Sequence, residues 1–209
     1  MRRVQYGLTL VELVVAMVII GVLASLGAPA YSSWISNMKV RNLSESVQSA
    51  LNFARAEAVR RNMQVTFRLM DSIDNACGVK AVFNAGEGVN WVVSLDNAIG
   101  GCGAALLDDR FPVTDAANNP PPRILLKRAA NEGVGGLGVS AGASSFIFDG
   151  MGRLVTAPAQ IDISDPNQGL CKSATVIDAS RKVRCLRVVV TAAGQVRMCD
   201  PAYAAGDTQ

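Results

Sequence analysis

From Leu13 to Met38 the chain carries no charged residue, and most positions are aliphatic. A run of that length exceeds the roughly 20 residues that cross a hydrocarbon core as a helix. Beyond it the apolar positions Val40, Leu43, Val47, Leu51, Ala54 and Ala58 recur at spacings of three and four. Arg41, Glu45, Arg55, Glu57 and Arg60 fall mostly between them. This predicts an amphipathic helix with one face packed on a domain. Pro29 lacks an N–H and its ring clashes with the preceding turn, so it is predicted to kink or interrupt the helix. A continuous helix over 8–61 would be roughly 80 Å long.

After Asn62 the period becomes two. Val65, Phe67 and Leu69 alternate with Gln64, Thr66 and Arg68, the signature of a half-buried strand. Further strands are predicted at 79–83, 91–95, 123–127, 145–148, 153–156, 175–177, 184–191 and 195–199. The last two join through Ala192-Ala193-Gly194 as a hairpin. Loops rich in Gly, Asn, Asp and Pro separate the others, including Asn118-Asn119-Pro120-Pro121-Pro122. One long helix followed by many short strands predicts an α+β fold. Its N-terminal helix, transmembrane in one half and amphipathic in the other, would pack on an antiparallel β-sheet domain.

The 209 residues suffice for one domain plus an anchor. A net charge of +3 excludes a strongly nucleic-acid-like balance, so any basic partner surface must come from local clustering. The chain has no histidine, which removes His-based nucleophile activation and His-liganded zinc. No cofactor or metal is implied, and no enzyme activity: no activated nucleophile can be assembled. Cys77, Cys102, Cys171, Cys185 and Cys199 form no C-x-x-C pair. In an exported chain such wide spacing predicts structural disulfides, with one thiol left over. Cys77 with Cys102 would close a loop that includes Trp91. Cys185 with Cys199 lies across the hairpin, and Cys171 with either is the rival pairing.

The basic start Met1-Arg2-Arg3 keeps the N-terminus cytoplasmic and the bulk of the chain outside. A cleaved secretory signal fits poorly, because the apolar run is too long and no A-x-A site follows it. Glu12 at the mouth of the apolar run is the anomaly, because a carboxylate near the membrane requires a partner.

A short basic leader ending in Gly7, then Leu8-Thr9-Leu10-Val11-Glu12, an unbroken apolar helix and Pro29, resembles the N-terminal signal of type IV pilins and pseudopilins. The resemblance implies that prepilin peptidase cuts between Gly7 and Leu8 and methylates the new N-terminus. Phenylalanine or methionine is commoner than Leu8 at that site. Glu12 would then pair with a Leu8 amine, in its own chain or a neighbour's, and set subunit register. The implied organisation is a leader over 1–7, a transmembrane and assembly segment over 8–38, an amphipathic helix half over 39–62 and a periplasmic β-rich domain over 63–209.

Three later stretches resemble the GspH/FimT/FimU branch. They are Ala54 to Asn62, then Ser145 to Arg153 with Gly150 and Gly152, and Ala193-Gly194-Gln195-Val196-Arg197-Met198-Cys199-Asp200-Pro201. The resemblance implies a two-sheet domain and a minor subunit, anchored by a single pass in the inner membrane, that initiates or caps type IV pilus assembly. Its implied partners are other minor and major pilins, prepilin peptidase and the membrane. Two alternatives share these features: a GspH-type pseudopilin of type II secretion, and a FimT-type minor pilin that binds DNA in natural transformation. Arg184, Arg187 and Arg197 are the candidate DNA contacts, although Gln195 replaces the first arginine of that branch's closing motif. Gly133-Val134-Gly135-Gly136-Leu137-Gly138 matches a dinucleotide-binding pattern only formally, with no helix start after it, and reads as a flexible loop. Asp108, Asp109, Asp162 and Asp165 read as solvated loop acids. Trp34, just past the apolar run, sits where an interfacial aromatic belongs.

Overall fold

The computed structural model describes residues 9–84, 87–130, 136–168 and 183–201. A single helix, α1 (Leu10–Arg61), runs without interruption through Pro29, so a break at that position is set aside. Asn62 ends it in the left-handed conformation, φ 50°, which asparagine tolerates better than most side chains.

Among the described residues nine strands follow: β1 (Val65–Met70), β2 (Val82–Phe83), β3 (Asn90–Ser94), β4 (Ile124–Arg128), β5 (Gly138–Ala141), β6 (Ser145–Phe148), β7 (Ala159–Ser164), β8 (Leu186–Val190) and β9 (Val196–Cys199). They form a four-stranded sheet, β4-β3-β1-β6, and a five-stranded sheet, β2-β5-β7-β8-β9. Every strand pair is antiparallel. The α+β prediction holds, and the domain has two sheets.

The core lies between the distal half of α1 and the inner faces of both sheets. Val40, Leu43, Val47, Leu51, Ala54 and Ala58, the stripe read at spacings of three and four, are all buried there. They meet Val65, Phe67 and Leu69 of β1, Phe146 and Phe148 of β6, Ile161 and Ile163 of β7, and Val188 and Val190 of β8. Alternation along β7 and β8 turns Asp162 and Arg187 to the opposite, outer face.

β3 is buried at every position, not at alternate ones. Its outer side is covered by a second small core of Met70, Cys77, Val92, Ala98, Cys102 and Ile124. The Cys77–Cys102 disulfide sits in this core, holding the 95–123 excursion against the sheet. Asn119 organises that excursion: its side-chain oxygen accepts from the Asp108 N–H, and its amide donates to the carbonyls of Asp108, Phe111 and Pro112.

Three expectations need correction. Residues 153–156 form no strand and make only a single bridge, Leu154 to Phe148. The Asp149 carboxylate accepts from the N–H groups of Met151 and Arg153 and winds the chain into a turn instead. The flexible loop read over 133–138 is corrected at its end, because Leu137 is buried and Gly138 opens β5; residues 133–135 lie outside the described residues. Residues 159–164, absent from the predicted strands, are β7. The predicted strand at 175–177 lies outside the described residues.

Candidate functional site

Glu12 is held in a reciprocal cap at the start of α1. The Glu12 N–H donates to the Thr9 hydroxyl at 3.3 Å. The Glu12 carboxylate accepts from the Thr9 N–H at 3.2 Å and from its hydroxyl at 3.1 Å. Thr9-Leu10-Val11-Glu12 has the spacing of a capping box, which satisfies two otherwise orphaned donors, and it places the acid at the positive end of the helix dipole. Gly7 and Leu8 lie outside the described residues.

From Leu13 to Leu23 the helix is apolar all round and uncovered: Leu13 is 49% exposed and Ile20 66%. A helix hydrophobic on every face needs an apolar surrounding that the domain does not supply. Among the described residues, no helix is long and apolar enough to cross a membrane. The side chains of 24–30, which the predicted span requires, lie outside the described residues. Beyond them Tyr31 and Trp34 stack at 6.1 Å, both exposed.

At the other end of α1 the three sequence stretches singled out above come together. Arg55 donates from Nε to the Gly152 carbonyl at 3.1 Å. Gly152 packs on Val59, and Gly150 on Asn62. Gly194, in the β8–β9 turn with φ +75°, approaches so closely that a Cβ would stand 1.9 Å from the Gly152 oxygen. The helix end, the turn after β6 and the β8–β9 hairpin therefore form one junction between α1 and the two sheets. Beside it Glu57 accepts from Arg60 and Arg61 at 2.7 Å each, and Arg61 also reaches Asp109 at 2.6 Å. Burial pushes the Glu57 carboxyl up, but the two arginine hydrogen bonds outweigh it and hold it below the ordinary value. Asp109 is thus tied to the helix end, not a free loop acid.

The three candidate arginines do not form one cationic surface. Arg187 pairs with Asp162, its cross-strand neighbour on β7, at 2.5 and 2.9 Å. The Asp162 hydrogen bond raises the Arg187 pKa. Asp162 is therefore no solvated loop acid, and Arg187 is already neutralised on the outer face of the sheet. Asp165 is buried and accepts from the Asn167 N–H. Arg197 is exposed and donates to Gln195. Arg184 is exposed, and its backbone N–H donates to Asn37 of α1 at 2.9 Å.

Cys185 is disulfide-bonded, while Cys199 is a free, exposed thiol. Both pairings that used Cys199 are therefore set aside. In the hairpin register Cys199 stands opposite Arg187, two positions from Cys185. Burial pushes the Cys199 thiol up, against the opposing pull of the Arg187 charge. Cys171 lies outside the described residues. Among the described residues, no group of three or more Cys, Asp or Glu could hold a metal ion.

Comparison with known proteins supplies the family. The family model described as Type II transport protein GspH matches residues 43–194, and the prokaryotic N-terminal methylation motif matches residues 2–28. No curated protein matches the sequence. Similar solved structures include the type IV minor pilin FimU of Pseudomonas aeruginosa in two crystal forms, both 14% identical. The alignments cover 80% of this chain and 92% of that one at a TM-score of 0.48, and 79% and 97% at 0.46. The minor pseudopilin EpsH of the Vibrio cholerae type 2 secretion system is 12% identical over 79% of this chain and 99% of that one, with a TM-score of 0.40. The GspH model spans well over half of the sequence and includes all of β1 to β8, with the methylation motif ahead of it. This chain belongs to the GspH/FimT/FimU family of minor pilins and pseudopilins, which are structural subunits and not enzymes.

Proposed function

We propose that this protein is a minor pilin, a low-copy subunit that initiates or caps type IV pilus assembly. It is made as a prepilin and held in the inner membrane by a single pass, with its domain in the periplasm. Prepilin peptidase cuts between Gly7 and Leu8 and methylates Leu8, and assembly with other minor and major pilins follows. The observation that carries this reading is the capped Glu12 at the head of an apolar helix that the domain leaves uncovered. Such a helix is stable in lipid or in a bundle of like helices, and withdrawal from one into the other is what filament growth requires. Before assembly, Thr9 occupies the Glu12 carboxylate. In the filament the methylated amine of Leu8, from the same or a neighbouring chain, competes for it and sets register.

The test is the amount of surface pili on cells lacking the chain, against complemented cells, with protein secretion measured in parallel. Loss of pili with secretion intact supports the pilus role. Intact pili with secretion lost would overturn it in favour of a pseudopilin. The DNA-binding reading is weakened by the Arg187–Asp162 pair, which leaves only Arg184 and Arg197 of its three candidate contacts.

A further inference from the structure

Arg184 lies at the membrane-proximal pole of the domain, and the reason is local. Asn37 donates from its side-chain amide to the Ser33 carbonyl at 2.9 Å and accepts the Arg184 N–H at 2.9 Å. Asn37 follows Trp34 by three residues, about 4.5 Å of helix rise, on the same helix face. The backbone of Arg184 is thereby pinned within a turn of the exposed Tyr31–Trp34 pair. Val183 and Cys185 on either side are buried, so the exposed Arg184 side chain is the one that points away from the domain.

Two further facts define what this pole meets. From Leu10 to Tyr31 the helix rises about 30 Å, the thickness of a hydrocarbon core. A helix inserted from Leu10 therefore places Tyr31 and Trp34 at the far boundary, where amphipathic rings settle. Along the helix, the charges nearest that boundary are also one-sided. Between Glu12 and Glu45 the helix carries no acid, and its charged residues there are Lys39 and Arg41. Glu45 is matched by Arg41 at 2.7 Å. Lys39, five residues past Trp34, and Arg184, held on Asn37, are cations at this end of the domain.

We propose that this pole docks on anionic lipid headgroups before assembly, with Tyr31 and Trp34 at the hydrocarbon boundary and Arg184 and Lys39 against the phosphates. This rests on the membrane-anchored reading above. Docking fixes the domain's orientation on the bilayer, so that it meets its neighbours in one pose. Each basic side chain close to an anionic leaflet shifts such an equilibrium about fivefold, an effect that salt screens.

The full-length chain is reconstituted into vesicles of phosphatidylcholine alone, or of phosphatidylcholine with phosphatidylglycerol. A donor dye on Cys199, the exposed free thiol, reports energy transfer to a headgroup-labelled acceptor lipid. Quenching of Trp34 by brominated lipids reports insertion, since the only other tryptophan, Trp91, is buried in the core. The expected result is a transfer efficiency that changes when phosphatidylglycerol is added. That change is abolished by salt and by Arg184→Glu, and kept by Arg184→Lys, with Trp34 quenching constant throughout. Equal transfer in the two lipids, or an unchanged response in Arg184→Glu, overturns the proposal while leaving the anchor intact. Failure of Trp34 to be quenched defeats the anchored reading itself, and the proposal with it. Short duplex DNA bound on neutral vesicles and lost in Arg184→Glu, with no lipid-dependent transfer, assigns the cation to nucleic acid and overturns the proposal.

Discussion

Replacing Gly194 with alanine tests the junction that holds α1 to both sheets. The new Cβ would stand 1.9 Å from the Gly152 carbonyl oxygen, and Gly194 has φ +75°. The backbone strain alone costs roughly 1–2 kcal/mol. Relieving the overlap means separating the hairpin turn from the 149–152 turn, an overpacking cost of typically 1–3 kcal/mol. If the Gly152 carbonyl moves away from Arg55, a charge-assisted hydrogen bond worth about 1.5–3 kcal/mol is also weakened. Together these come to about 3.5–8 kcal/mol, a large share of the roughly 5–15 kcal/mol that stabilises a typical domain. Gly100→Ala is the internal control: Gly100 has φ +73° but nothing within 4 Å of its would-be Cβ, so only the strain is incurred. Urea unfolding of the full chain in detergent, followed by tryptophan fluorescence, measures both variants. The expected difference is at least about 2 kcal/mol beyond the control. Equal losses for the two variants would refute the junction as a steric contact.

Asp162→Ala strands the Arg187 guanidinium on the sheet, and thermal unfolding should show a loss of about 2–3 kcal/mol. The Asp162→Ala/Arg187→Ala double variant should lose less than the sum of the singles; additive losses would mean that the pair is not coupled. With no histidine in the chain, stability should be nearly flat between about pH 5 and 8. The Asp96 carboxyl is held low by its hydrogen bonds from Arg123, and that of Glu87, bonded to Lys80 and Asn84, is held at about 2. A carboxylate with a depressed folded pKa contributes stability above its unfolded value. Stability should therefore fall as acid is added from about pH 4 downward, and a midpoint near neutrality in a pH-melt series would contradict this. Glu12→Ala should leave the chain in the membrane fraction and deplete it from sheared filaments; normal co-purification with pili sinks the register role.

The helix and β1 were legible because their periods survive into the fold. The stripe from Val40 to Ala58 and the alternation Val65, Phe67, Leu69 are the surfaces that meet. β7 was less legible. Its Ile161 and Ile163 alternate with Gln160 and Asp162, but only over a short stretch beside Pro158 and Pro166. Its acid, read alone, looked like a loop residue. The partner that makes Asp162 a strand residue is Arg187, 25 positions away, and no local pattern carries that distance. β5 is built of small residues, with only Val139 to mark its buried face. Asn37 likewise gave no sign of its bond to residue 184. The capping box is legible in the Thr9–Glu12 spacing, because both of its bonds close within one helical turn.

The positions of the glycines and of the acid bear on the same question from opposite ends of α1. At the distal end, Gly150, Gly152 and Gly194 are places where backbone touches helix or backbone, so the family-like stretches there hold the domain to its helix. The domain then follows α1 as one body when the helix moves. At the proximal end, Glu12 is bonded, among the described residues, within its own first turn, so that commitment is local and exchangeable at small cost. A subunit that leaves lipid for a filament needs this combination: a rigid distal coupling, so that sliding the helix carries the domain, and a labile proximal contact, so that the carboxylate can be handed to another donor. Strengthening the proximal contact would oppose assembly as surely as weakening the distal one.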